Sequence, residues 1–266
     1  MKAIIIFFRS FPLNVILSKL FCKIFHIKID RFANLKDFFF DKRGIEIGGP
    51  TAVFENKGYV PVYQFVSSLS GVNFSNSTVW EGVLNEGENY KFNGRLGYQF
   101  IAEGSALPMI NNEAYNFVLS CNNLEHIANP IKAIMEWKRI LKNGGIIFLV
   151  LPKKESNFDH RRPFTQMEHL IKDFEDAVTE ADDTHIEEIL KLHDLSRDPQ
   201  AGTFQVFKER CFNNITNRCL HHHVFSQELL SDLFRYCKME VVFQYTNPSN
   251  LYIAGKKQEH SQQKDF

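Results

Sequence analysis

The sequence predicts an α/β protein, a mostly parallel sheet covered by helices, with a helical insertion after the fifth strand. Three observations predict it. Strand-like and helix-like segments alternate over residues 41–152. The run IIFLVLP, Ile146 to Pro152, is apolar enough for a strand buried on both faces. The block 153–225 then breaks the alternation, being long, polar and rich in His, Asp and Arg.

Taken in order, the first strand runs from Arg43 to Gly48 and breaks in GIEIGGPT, on two glycines and a proline. LSGVNFS (Leu69 to Ser75), YQFIAEG (Tyr98 to Gly104) and YNFVLSCN (Tyr115 to Asn122) are the second, third and fourth strands. A helix opens at Pro130, carries Ile131, Ile134, Met135, Ile140 and Leu141 at helical spacing, and ends at Gly144. In the insertion, Thr165-x-x-Glu168 and Thr184-x-x-Glu187 each have the form of a capping box. Ser226 caps a last helix, and MEVVFQYT and NLYIAGKK follow as two strands around an Asn247–Asn250 turn.

Three units are expected: an amphipathic helical segment over 1–40, the main domain over 41–257 with its insertion, and a polar disordered tail over 258–266. Arg9, Lys19 and Lys23 interrupt the apolar N-terminus, so neither a spanning helix nor a signal peptide is expected there. From Pro12 onward it reads as a helix packed on the main domain; the alternative is peripheral membrane contact through residues 12–28. The charges balance at 31 basic and 31 acidic residues, which argues against a nucleic-acid partner. Five scattered cysteines without CxxC spacing read as reduced thiols of a cytoplasmic protein.

Certain words stand at particular places in this order. EIGGP follows the first strand, AEGSALP (Ala102 to Pro108) the third, and LEHI…NP…RILKNGG joins the fourth to the fifth. Over residues 41–152 and 224–257 the chain resembles the class I S-adenosylmethionine-dependent methyltransferases. The inserted block resembles, more loosely, methyltransferase-like proteins of bacterial surface-polysaccharide gene clusters. The resemblance implies a Rossmann-like seven-stranded sheet with its last strand antiparallel. It also implies S-adenosylmethionine as cofactor, lying across the C-terminal edge near strands one and four. That location agrees with the rule that open α/β sheets bind ligands at a topological switch point.

The resemblance assigns cofactor roles residue by residue. Gly48 and Gly49 let backbone approach the methionine end, and Glu46 balances its positive charge. Glu103 meets the adenine amino group, and Cys121 and Asn122 reach the methionyl moiety. There are two departures. Pro50 takes the place of a second glycine, and Asn73 stands where an acid commonly grips the ribose.

Methyl transfer to a hydroxyl needs a base near the C-terminal edge of the sheet, where the insertion begins. FDHRRPFT offers Asp159 and His160 as base candidates, and Arg161 and Arg162 as an anion clamp for a sugar-linked phosphate or carboxylate. The alternative for all four is a salt-bridged lid. In HHHVFS, His221 or His223 is expected to face the site, with His223 as a catalytic candidate and His221 as a substrate contact. His126 is expected to orient the loop after strand four. His169 and Asp173, i and i+4 on one helix, are read as a surface ion pair, and no metal is assigned. The expected activity is methyl transfer to a small-molecule or sugar-linked acceptor in cell-surface polysaccharide synthesis. The alternatives are a non-catalytic binding protein of the same fold, and a metal-dependent enzyme built on the insertion.

Overall fold

The computed structural model describes residues 30–258, so the expected helix at 12–28 and most of the tail lie outside the described residues. A 3₁₀ run, Asp30–Phe38, leads into β1 (Arg43–Ile47) and β2 (Ser68–Asn73). A small two-stranded ribbon follows, β3 (Ser77–Thr78) with β4 (Gly82–Val83), then β5 (Gly87–Phe92), β6 (Arg95–Ile101) and β7 (Tyr115–Cys121). Helix α1 (Pro130–Ile140) leads straight into β8 (Leu141–Pro152). The insertion holds α2 (Met167–Glu175), α3 (Ile186–Leu192), α4 (Phe204–Phe212) and the single turn α5 (Asn214–Asn217). Then come α6 (Gln227–Tyr236), β9 (Met239–Thr246) and β10 (Asn250–Lys257).

The main sheet has eight strands in the order β5-β6-β2-β1-β7-β8-β10-β9. From β6 to β8 all neighbours are parallel; β10 runs antiparallel to both β8 and β9. The seven expected strands are present, and β5 is an eighth on the edge, antiparallel to β6. Its residues alternate: Tyr90 and Phe92 are buried, while Glu88, Asn89 and Lys91 face solvent. Asn93 and Gly94 close the hairpin with φ of 46° and 72°, the conformation an Asn-Gly two-residue turn favours.

One face of the sheet packs on α1 and α6 through Trp137, Ile134, Leu230 and Phe234. The other is an aromatic layer of Phe39, Phe54, Tyr63, Phe117 and Phe148. The insertion has a small core of its own around Ile189, Phe207 and Cys211. Several local expectations hold. Asn129 and Pro130 open α1, with the Asn129 side chain accepting from the Lys132 amide at 3.0 Å. Ser226 caps α6 in the same way, from the Leu229 amide.

Others do not. Helix α1 ends at Ile140 rather than at Gly144, because the chain turns extended at Leu141 to pair with β7. Neither capping box forms: α2 is preceded by Gln166 and α3 by His185, without side-chain caps. The Thr165 hydroxyl accepts instead from the Val224 amide, tying the insertion's entry to its exit.

Candidate active site

A cavity of about 530 Å³ opens over the C-terminal ends of β1, β2, β6 and β7, a size within the range of small-molecule sites. Its floor includes Ile47, Gly48, Val72, Asn73, Ala102 and Glu103; Cys121 to Asn123, Glu125 and His126 form a second wall. The insertion closes it from above through Phe158, Arg218 and His221.

The loop after β1 is built from beneath. Glu46 is fully buried, and the hydroxyls of Tyr63 and Tyr90 donate to its Oε2 at 2.5 and 2.7 Å. Burial pushes this carboxyl up from 4.5 to about 7, against the two tyrosine hydrogen bonds. Glu46 does not line the cavity. A Cβ on Gly49 would stand 2.3 Å from Glu46 Cδ and 2.4 Å from Tyr90 Oη. Gly48 has φ of +82°, and a Cβ there would meet Asn123 Oδ1 at 2.8 Å. Both glycines are therefore required by protein packed against them; only Gly48 also faces the cavity. Gly49→Ala is expected to lower stability by about 1–3 kcal/mol, checked by urea unfolding.

Pro50 lines the cavity, and the Asn73 amide donates to the Gly49 carbonyl at 2.9 Å. An aspartate at 73 would have no proton to give that carbonyl, which is a physical reason for the asparagine. Glu103 borders the cavity, but its carboxylate accepts from Arg218 at 2.9 Å, and Arg218 also pairs with Glu180 at 3.3 Å. Cys121 and Asn122 both line the cavity; burial holds the Cys121 thiol neutral, well above its ordinary range.

The insertion's candidates separate. The turn at Asp159, closed by Arg162 N–H to Asp159 carbonyl, sends side chains in opposite directions. His160 meets Asp194 at 2.9 Å, and half-exposed Arg161 meets the same carboxylate at 3.0 Å; neither lines the cavity. Arg162 is buried and donates to Asp159, Glu188 and the carbonyls of His221 and His222. The anion clamp expected of Arg161 and Arg162 is thus not formed, because protein acceptors occupy both. His223 is buried outside the cavity wall.

What does face the cavity is His221. Its Nδ1 lies 2.5 Å from Asp159 Oδ2, and with that nitrogen as donor its Nε2 is an acceptor. Burial alone would lower the His221 pKa, but the Asp159 carboxylate outweighs it and raises the ring above the usual histidine value. Burial pushes Asp159 upward, yet His221 and Arg162 hold it well below the carboxylate range. Glu125 and His126 stand beside His221, each with a donor atom within 4.8 Å of the others. Neither Glu125 oxygen has a hydrogen-bond partner elsewhere in the described residues, and burial raises this carboxyl to about 7. His126 Nδ1 meets the Leu220 carbonyl at 3.0 Å, tying the loop after β7 to the insertion, and burial keeps its ring neutral.

Residues 64–149 match a family model described as a methyltransferase domain. The chain carries a methyltransferase domain. S-adenosylmethionine is the cofactor that domain implies. The match begins past the Glu46–Pro50 turn and ends within β8. A SAM-dependent methyltransferase of Thermotoga maritima is 18% identical with a TM-score of 0.42, over 92% of this chain and 97% of that one. One of Methanosarcina mazei is 14% identical with a TM-score of 0.44, over 86% and 99%. One of Aquifex aeolicus is 11% identical with a TM-score of 0.41, over 86% and 89%. No curated protein matches.

The cavity of the methyltransferase domain fits this cofactor by its donor set. Asn73, Asn122 and Asn123 offer amides, Glu103 and Glu125 offer carboxylates, and Ile47, Val72 and Ala102 offer apolar floor. A zwitterionic nucleoside with a cationic sulfur needs those three kinds of surface. Arg218 and Glu180 at the cavity, and Tyr63 and Tyr90 beneath its loop, are not among the residues the sequence points to. Tyr90 was legible only through the Asn93-Gly94 hairpin signal. Among the described residues no helix is long and apolar enough to cross a membrane.

Proposed function

We propose that the methyltransferase transfers a methyl group to a hydroxyl of a small or sugar-like acceptor, with His221 as general base. The observation that carries this is the Asp159–His221 pair at 2.5 Å, presented to the cavity at the sheet's C-terminal edge. When bound, S-adenosylmethionine supplies an electrophilic methyl group on sulfur. Asp159 orients the His221 ring through Nδ1, so that Nε2 would take the acceptor hydroxyl's proton while the new C–O bond replaces the S–CH3 bond and the neutral thioether leaves. Glu125, unpartnered and beside His221, offers a carboxylate to the cationic end of the cofactor or to an acceptor hydroxyl. Phe158 and Arg218 bring the cap over the cavity, where it would shield the reacting groups from water. Cell-surface polysaccharide synthesis in the cytoplasm is the setting we propose, on the likeness of the inserted block.

Calorimetric titration with S-adenosylmethionine and S-adenosylhomocysteine is expected to give dissociation constants in the micromolar range, roughly −8 kcal/mol. Glu103→Ala is expected to weaken both by on the order of tenfold, as loss of a charged hydrogen-bond partner would. No heat from either ligand would remove the proposal. The Asn73 and Glu103 engagements with protein groups favour a second reading, ligand binding without turnover. Binding with no labelled methyl passed to any cell-envelope extract would select it.

A further inference from the structure

Outside the cavity wall, three separate segments of the cap bring imidazoles and a carboxylate to one point. His169 and Asp173 lie one turn apart on α2, His185 immediately precedes α3, and His223 lies in the extended stretch leading to α6. One donor atom from each lies within 4.8 Å of all the others. His169 Nε2 is 3.2 Å from His185 Nε2 and 3.3 Å from Asp173 Oδ2, and Asp173 Oδ2 is 3.6 Å from His223 Nε2.

A tetrahedral zinc with ligand bonds near 2.0–2.1 Å has ligand-to-ligand edges of about 3.3 Å. The observed separations are close to those edges. The ion pair expected of His169 and Asp173 forms, but not at the surface, since Asp173 is only 7% exposed. Its Oδ2 has no hydrogen-bond partner, although it sits among imidazole nitrogens. A buried acceptor left so is costly, and a cation among the four groups would satisfy it. His223 Nε2 also approaches the Ala128 carbonyl at 3.2 Å, so ligation there exchanges one hydrogen bond for a metal bond. Asp182 stands 3.7 Å from His185 Nε2, placing a second carboxylate beside the cluster to balance a double positive charge.

We propose that His169, Asp173, His185 and His223 bind one divalent transition-metal ion of the zinc class. The ion ties α2 and the start of α3 to the stretch that carries His221, so it is a structural staple between the cap and the catalytic wall. It does not depend on the methyl-transfer proposal, because none of the four ligands lines the cavity.

The test uses the full chain, stripped with chelator and titrated with cobalt(II) chloride and then zinc chloride. The expected result is about one ion per chain, with the visible bands of tetrahedral cobalt(II), their loss on zinc addition, and a melting temperature raised by zinc. Asp173→Asn and His185→Ala are expected to abolish the bands, while Glu125→Gln keeps them. A wild-type chain that shows no such bands and binds no zinc overturns the proposal, whatever the variants do. Bands that survive both cluster substitutions but vanish in Glu125→Gln also overturn it, by placing the ion in the cavity.

Discussion

Replacing His221 by alanine is expected to slow methyl transfer by about 10²- to 10⁴-fold, with little change in S-adenosylmethionine affinity. The ring is the only imidazole among the described residues that both lines the cavity and pairs with a carboxylate close enough to fix its tautomer, at 2.5 Å. His126 lines the cavity too, but its Nδ1 meets a backbone carbonyl and burial holds it far below the range in which it would take a proton. Single-turnover kinetics with labelled cofactor and calorimetry on the same samples separate the two readouts. Asp159→Asn is expected to fall between wild type and His221→Ala, since the ring remains but its orienting charge is gone. His160→Ala is the control: its partner is Asp194 away from the cavity, and its rate should stay within about twofold of wild type, as for other substitutions outside a site. If His160→Ala were the slow variant, the base would be reassigned to it and the cap would have to close differently during turnover. If neither variant slowed, the acceptor would be one that needs no base, such as a neutral amine.

The sheet was legible because its signals are local. Runs such as IIFLVLP are apolar on both faces, and turns such as the one after Ile47 end on glycine, so each parallel strand announces itself without knowledge of its neighbours. Edge strand β5 carries no such signal, since GENYKF has only two apolar residues and looks polar until its partner buries them. The site divides the same way. Residues at strand ends, such as Asn73, Glu103, Cys121 and Asn122, follow from strand position, and all four do line the cavity. Cap residues do not follow from sequence order, because the direction of a side chain there depends on one turn. Asp159 and His160 are adjacent, yet one reaches His221 and the other Asp194. His221 and His223 share a face by alternation, yet one borders the cavity and the other a cluster assembled over more than fifty residues. Glu46 stands near the end of β1, but its side chain does not line the cavity. Its partners Tyr63 and Tyr90 are 17 and 44 residues away, so nothing near GIEIGGPT reveals that its carboxyl turns under the loop.

That buried carboxyl has a measurable consequence for stability. Desolvation raises Glu46 from 4.5 to about 7 in the folded chain, while in the unfolded chain it returns to the ordinary value. A group raised in this way binds its proton more tightly when folded. Its stabilising contribution is therefore complete below about pH 4.5 and is lost as pH rises through about 7, a loss on the order of 3 kcal/mol. Glu125, raised to a similar value, acts in the same direction, and neutral His126 acts in the opposite one below about pH 6.5. The raw pH profile of the wild type is thus a composite, and the informative quantity is a difference between chains. Glu46→Gln removes the titration but keeps an acceptor for the Tyr63 and Tyr90 hydroxyls. Its stability relative to wild type, from urea unfolding at a series of pH values, is expected to climb between about pH 4.5 and 7 by on the order of 3 kcal/mol. The absolute offset of that curve will include the cost of an amide nitrogen placed under Gly49, where Oε1 now lies without a partner. The slope will not include it, because that nitrogen does not titrate. A flat difference across the range would mean that Glu46 keeps an ordinary acidity, and that the loop above it is wetted from the cavity side. Saturating S-adenosylmethionine offers an internal check on the carboxyl's reach. Were Glu46 the partner of the cofactor's positive end, binding would pull its titration down and erase the difference above pH 6; seated beneath Gly49, it should leave most of the slope in place.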